Sequence, residues 1–521
     1  MQVNFAVRVI HFRQTPVWRV MLALTLLLVL VGPAAAPLRS GLIKAQPELL
    51  QLIAAEPQAE FSVIVQKLTA DVDLHGVIAR LGGQITADLS IINSFAAELP
   101  AHAIVELAQH PGVRWVSYNA PVVKTGGPDG TVNTAALLNV YNKAIGADRL
   151  WAEGYQGSSV TVAVVDSSIA DLNDFKQSYG GNGELRIRAT ATIVGGSDFG
   201  KDWYGHGTHV AGIIGGNGTN SSGRYIGVAP QVKLVAVDVS NEQGAGTIAN
   251  VIAGLQWIYK NHVAYNIRVV NISLNASVPE SYHTSALNAA VEILWFKGIV
   301  VVVSAGNNGG GVNHGILFPP ANDPFVITVG ATDDKGTASL TDDTLASFSA
   351  YGVTESGFAK PELVAPGKNI YSVLSKADNT LALAHPGHRH PDSNYRDYYM
   401  RMSGTSMSAP IVSGAVALLL QDEPHLTPDQ VKYRLMATAR PFSGGNGAKY
   451  LDAYAAVKGT TTQSANTNVR ASRLLWTGSQ PVTWGSVSWN NVSWNSVSWN
   501  SVSWNSVSWN SVSWNSDYWG Q

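Results

Sequence analysis

From about residue 125 to residue 460 the chain alternates two kinds of apolar patterning. Val160–Val165, Leu234–Val237, Val269–Leu274, Ile299–Val303 and Phe325–Val329 are nearly unbroken aliphatic runs. Strands buried on both faces of a parallel sheet read this way. Between them, Ile248, Val251, Ile252, Leu255 and Ile258 recur at helical spacing, as do Leu287, Ala290, Val291 and Leu294. Alternating strand and helix predicts a doubly wound, mostly parallel α/β domain with right-handed crossovers. Such sheets bind ligands outside the carboxyl ends of their strands, so chemistry is to be sought there.

The flanking segments follow other patterns. Residues 56–124 predict a small α+β unit, with strands at Phe61–Val65, Ile91–Glu98 and Val113–Tyr118 and helices at Leu74–Leu81 and Ile104–His110. Residues 37–55 read as a linker, and 461–483, which are polar and irregular, as another. The last segment, 484–521, is a Trp-rich WNSVS pentad repeat with Trp at 484, 489 and every fifth residue to 519. Eight of the chain's 15 Trp lie in it, which sets the tail apart from the rest. Val and Trp two apart share one face of an extended segment, and Asn-Ser favours a turn. A stacked coil, a weakly ordered tail contacting carbohydrate or cell envelope, and self-association all fit that repeat.

Composition narrows the class. Charged residues are only 13% of 521 and the formal net charge is −2, so nothing electrostatic points to nucleic acid. Cysteine is absent, which excludes disulfides and thiolate chemistry. Arg8, Arg13 and Arg19 precede the apolar run 20–31 and the small residues Ala34-Ala35-Ala36. Residues 1–36 therefore read as an export signal, too short in apolar length for an ordinary membrane span. The expected location is outside the cell, with envelope association through the tail as an extension.

Three polar motifs interrupt the apolar background. "VAVVDSS" ends a buried strand at Asp166, "GHGTHVAG" places His206 at a helix start, and "MSGTSMSAP" places Ser406 at another. A serine hydroxyl is a weak nucleophile that needs a base, and the base needs an acceptor to fix its tautomer. A helix start also offers free N–H groups to a developing oxyanion. Asn307, in the glycine-rich exit "SAGNNGG", is a candidate second donor. His206 and His209 alone, three residues apart, would also suit zinc. No third or fourth ligand emerges, so His209 reads as packing and the metal ligands remain unassigned. His385, His388 and His390 read as a solvated loop with adventitious metal binding behind it.

Together "VAVVDSS", "GHGTHVAG", "SAGNNG" and "SGTSMSAP" resemble the subtilisin-like serine peptidases, over about residues 125–460. The resemblance implies Asp166 as orienting carboxylate, His206 as general base and acid, Ser406 as nucleophile and Asn307 as oxyanion donor. It implies a peptide groove between Gly244-Ala245-Gly246 and Ser273-Leu274-Asn275, with Ser304-Ala305-Gly306 as one wall of the pocket before the scissile bond. It makes residues 56–124 an inhibitory and folding-assisting propeptide, cut off at about 120–127, and the chain's partners protein or peptide substrates. No cofactor is required for the chemistry. Structural calcium is plausible from the resemblance, with no ligands assigned. Ser168 stands where the family has glycine, and Asn275 where glycine is also usual. The alternative is an impaired subtilase-fold surface protein that binds envelope or carbohydrate through its tail.

Overall fold

The computed structural model describes residues 44–124, 126–127, 139–178, 182–195, 199–309 and 316–475. The expected export segment and the pentad tail lie outside the described residues.

The expected sheet forms at the centre of the large domain. Its parallel strands run in the spatial order Ile187–Thr192, Lys233–Asp238, Thr161–Asp166, Ile267–Ile272, Val300–Ser304, Ile327–Asp333 and Leu363–Pro366. Residues 161–166 are buried throughout, as are 300–304 and 327–333. Helices Ile248–Tyr265 and Ala286–Phe296 pack together, as do His206–Gly215 and Thr405–Asp422. Thr247 and Asn250 form a reciprocal capping box at the start of 248–265. The winding reverses beside Thr161–Asp166, which pairs with Lys233–Asp238 on one side and Ile267–Ile272 on the other. Its carboxyl end is thus the switch point at which such sheets hold ligands.

The small unit is an antiparallel sheet in the order Gln84–Leu89, Ser94–Pro100, Glu60–Lys67, Val113–Tyr118. Along Glu60–Lys67 the two faces serve different partners. Phe61, Val63 and Val65 join the unit's own core with Ile78, Ile104 and Leu107, while Ile64 belongs to the core of the large domain. That explains four successive buried positions, 63–66, in a strand that sequence alternation would leave half polar.

Two expected linkers prove to be structure. Pro47–Ala55 is a helix whose Leu49 and Ile53 enter the small unit's core. Residues 44 and 46 are tied to Val116 by backbone bonds, so the unit begins well before residue 56. Residues 461–475 are also held: Arg434 donates to the Thr461 carbonyl, Asn466 to the Phe325 carbonyl, and Leu474 and Leu475 are buried. The strand expected at Ile91–Glu98 starts later, at Ser94, after a 3-10 turn at Ser90–Ile92.

The connection between the units is itself ordered by the large domain. Pro121–Lys124 is the middle strand of an antiparallel sheet between Gly246–Thr247 and Leu274–Ala276. Beyond residue 125, Gly126–Gly127 pairs with Ser403–Gly404.

Candidate active site

Asp166 and His206 are both fully buried and directly joined. His206 Nδ1 lies 2.8 and 2.9 Å from the two carboxylate oxygens of Asp166. The strand end and the helix start that carry them interlock. Gly207 N–H donates to Ser167 Oγ at 2.9 Å, and Ala170 N–H to Thr208 Oγ1 at 3.0 Å. A Cβ on Gly207 would stand 2.2 Å from the Ser168 carbonyl oxygen, so only glycine permits this approach.

The helix start is fixed from outside by Asp202. Its carboxylate accepts Gly205 N–H and Thr208 N–H, each at 2.8 Å, and Thr208 Oγ1–H at 2.7 Å. Asp202 is itself buried, and its carboxylate satisfies free N–H groups at the start of the helix that presents His206. Burial, opposed by those hydrogen bonds and reinforced by the charge of Asp166, lifts its pKa to about 6.

Ser406 is the second residue of helix Thr405–Asp422 and is fully buried. Its Oγ donates to the Ser273 carbonyl at 2.9 Å, while Ser273 Oγ donates to the Ser406 carbonyl at 3.1 Å. The second bond has a backbone cause. Pro410, four residues on, has no N–H for the Ser406 carbonyl, and the Ser273 hydroxyl takes its place. A buried chain continues from there: Asn271 Nδ2 donates to Ser273 Oγ at 3.0 Å, and Ser413 Oγ to Asn271 Oδ1 at 2.9 Å. Neither Asn271 nor Ser413 stood out in the sequence. An asparagine inside a buried aliphatic strand was the signal available.

Thr405, also missed, ties the glycine-rich exit to the nucleophile helix. Its hydroxyl accepts Gly306 N–H at 3.1 Å. Its N–H and Oγ1 lie 2.9 and 3.0 Å from Asn307 Oδ1. A backbone N–H can only donate, so the contacting Asn307 atom is its oxygen, and the amide nitrogen lies on the side away from Thr405. The groove residues separate into two groups. Gly246, Leu274 and Asn275 pair with residues 122–124, whereas Gly244 and Ala245 close a turn on Asn241. Asn275 turns its amide to the Ser304 carbonyl at 3.1 Å. Ala305 is fixed by its N–H to the Val329 carbonyl at 2.9 Å.

His209 is buried one turn into the helix, with Nε2 3.1 Å from the Met400 carbonyl oxygen. Burial and the neighbouring His206 push its pKa down to about 3, so it stays neutral. Among the described residues, no three His, Asp or Glu side chains converge as a metal site would need. Of the loop histidines, His390 is not solvated as expected: it is buried against Tyr225, Tyr371 and Tyr395, with Tyr225 Oη at 2.8 Å. Asp334 and Asp343 are also buried.

Ser168 adopts φ +87°, the left-handed region, and its buried hydroxyl has no hydrogen-bond partner among the described residues. The strain expected there is real. Positive φ costs a non-glycine residue about 1–2 kcal/mol, only partly offset by the greater chain entropy of glycine. Ser168→Gly, measured in an inactive Ser406→Ala background by denaturant unfolding, should gain about 1 kcal/mol. An unchanged or lower midpoint would refute the strain.

A carboxylate and imidazole at the switch point, with a serine at a neighbouring helix start, place the chain among α/β proteins of the serine-hydrolase type. A family model described as the subtilase family matches residues 157–471. The chain belongs to that family. It is 40% identical over 308 residues to serine protease AprX of Bacillus subtilis, covering 57% of this chain and 65% of AprX. It is 34% identical to subtilisin DY of Bacillus licheniformis, over 57% of this chain and 89% of that protein. The crystal structure of fervidolysin from Fervidobacterium pennivorans shares the fold, with a TM-score of 0.57 and 24% identity, over 77% of this chain and 61% of that one. The chain thus spans less than two thirds of AprX and of fervidolysin. Among the described residues no helix is long and apolar enough to cross a membrane.

Proposed function

We propose that this chain is an exported serine endopeptidase made as its own inhibited precursor. The observation that carries the proposal is the strand Pro121–Lys124. It fills the groove between Gly246–Thr247 and Leu274–Ala276 as an added strand, the way a peptide substrate is held by its main chain. Gly126–Gly127 pairs with Ser403–Gly404, directly before the nucleophile helix, so the chain is held beside the site on both sides of residue 125.

In the proposed reaction Ser406 Oγ turns from the Ser273 carbonyl toward His206 Nε2, which has no hydrogen-bond partner among the described residues. Oγ attacks the substrate carbonyl carbon as Nε2 takes its proton, and Asp166 stabilises the imidazolium through Nδ1. The oxyanion is met by the helix-start N–H groups and the Asn307 amide. His206 returns the proton to the leaving amine, the C–N bond breaks, and water repeats the sequence to free the acid. After the cut, residues 121–124 stay paired on both sides. The small unit, from residue 44 to 124, then inhibits as bound product. Protein substrates follow once it leaves, and export through residues 1–36 belongs to the same proposal. Envelope contact through the tail would add to this activity. The impaired-scaffold alternative is disfavoured by the close Asp166–His206 pair and by a groove already holding a strand.

Mass spectrometry of the processed protein tests the geometry. The new N-terminus is expected at Thr125 or Gly126. A cut outside residues 121–127 would overturn the assignment of the bound strand as substrate.

A further inference from the structure

The segment that leads into the tail is gripped from two sides. The large domain holds its first part. Tyr282 Oη donates to the Arg470 carbonyl at 3.1 Å, and Arg473 N–H to the His283 carbonyl at 2.9 Å. Ser472 N–H donates to both oxygens of the buried Glu292, at 3.0 and 2.8 Å. One residue further on the partner changes. The Leu474 carbonyl accepts Arg114 Nη1 at 3.2 Å and Gln66 Nε2 at 3.4 Å, both from the small N-terminal unit. Gln66 lies on the face of strand Glu60–Lys67 that Ile64 turns to the large domain. Its amide also donates to the Ile92 carbonyl at 3.1 Å, so Leu474 is stitched to the unit's contact surface. Leu474 and Leu475 are buried in the apolar cluster that Ile64, Ile91 and Ile92 complete from that unit.

We propose that residues 474–475 form a latch held shut by the N-terminal unit, so that its departure frees the root of the C-terminal tail. The inference rests on the reading of that unit as a removable inhibitor. When the unit leaves, the Leu474 carbonyl loses two donors and the two leucines lose part of their cover. Residues 470–473 keep every contact described above, because those come from the large domain. The freed stretch therefore begins at Leu474, whose N–H donates back to Ser472 Oγ at 3.3 Å, while Leu475 N–H donates to the Ser472 carbonyl at 3.0 Å; these two local bonds open once the Leu474 carbonyl loses its donors. Binding free energies are reciprocal, so the closed latch also strengthens retention of the unit. Maturation and release of residues 474–475 become one event.

Hydrogen–deuterium exchange on the full chain tests this. The Ser406→Ala precursor is compared with processed wild type from which the N-terminal unit has been removed. Amides of Leu474 and Leu475 should exchange at least tenfold faster in the processed protein, while Ser472 and Arg473 change little. Equal exchange at 474–475 after complete processing would overturn the latch. Failure to process at all would instead count against the peptidase reading, and a second comparison then decides. Gln66→Leu with Arg114→Ala, in the Ser406→Ala precursor, should speed exchange at 474–475 with the N-terminal unit still attached. No change there would also overturn it.

Discussion

The Ser406→Ala chain is expected to remain uncut between residues 124 and 126 and to leave casein intact. The effect should be all but complete, because no other nucleophile in the described site combines burial, a helix start and an adjacent Asp–His pair. Subtilisin itself loses about 10⁶ in turnover when its serine is removed, and a loss of that order is the expectation here. The variant should fold normally. Ser406 Oγ donates to the Ser273 carbonyl, whereas the Ser406 backbone carbonyl that Ser273 Oγ holds is untouched by the substitution. Retained thermal stability with intact precursor on a gel is therefore the full expected result. Processing at an unchanged rate would remove Ser406 from the nucleophile role, whatever the resemblance of its motif.

The chemistry of this site was more legible than its support. His206, Ser406 and Asn307 stand in short glycine-framed stretches and Asp166 at the end of an aliphatic run, so local context alone marks them as candidates. Their supports are long-range. Thr405 meets Asn307 across 98 residues, and Ser273 meets Ser406 across 133. No periodicity marks such pairs. Asp202 shows the same limit: it stands four residues before His206, and only its contacts with the Gly205 and Thr208 N–H groups reveal that it holds the helix start.

The two supposed linkers failed differently. Pro47–Ala55 carries Leu49, Leu50, Leu52 and Ile53 with few polar residues between them, so no polar face marks it as an amphipathic helix. Leu474 and Leu475 have no periodic neighbours, and their burial comes from long-range packing in a cluster that includes Ile64, Ile91 and Ile92 of the small unit. Ser168 was legible as a departure, and the structure supplies its cost: the position keeps the left-handed φ that glycine would accept without strain.

Glu280 was invisible in the sequence, yet it should make the grip of the N-terminal unit depend on pH. It follows the groove strand Leu274–Ala276 and is buried where the two units meet, with Ser117 Oγ of the small unit donating to Oε1 at 3.1 Å. Its main chain is fixed within the large domain, where the Glu280 carbonyl accepts Asn322 Nδ2 at 2.7 Å. Burial pushes its pKa up to about 8; the Ser117 bond opposes this and the nearby charge of Glu48, on helix Pro47–Ala55, adds to it. Once the small unit leaves, Glu280 returns to solvent and to an ordinary value of about 4.3. The sign follows directly. The bound state keeps the proton that the free state gives up, so binding is strongest below the free value and weakens as pH rises toward 8. Each pH unit in that window should cost about tenfold in affinity, or two to three orders of magnitude between pH 5 and pH 8. Processed protein passed through size exclusion should keep its N-terminal unit at pH 5.5 and shed it at pH 8.5. Glu280→Gln, which cannot ionise and still accepts from Ser117, should hold the unit at both. A wild-type protein that sheds the unit equally at both pH values would contradict this, as would a Gln variant with the same pH slope.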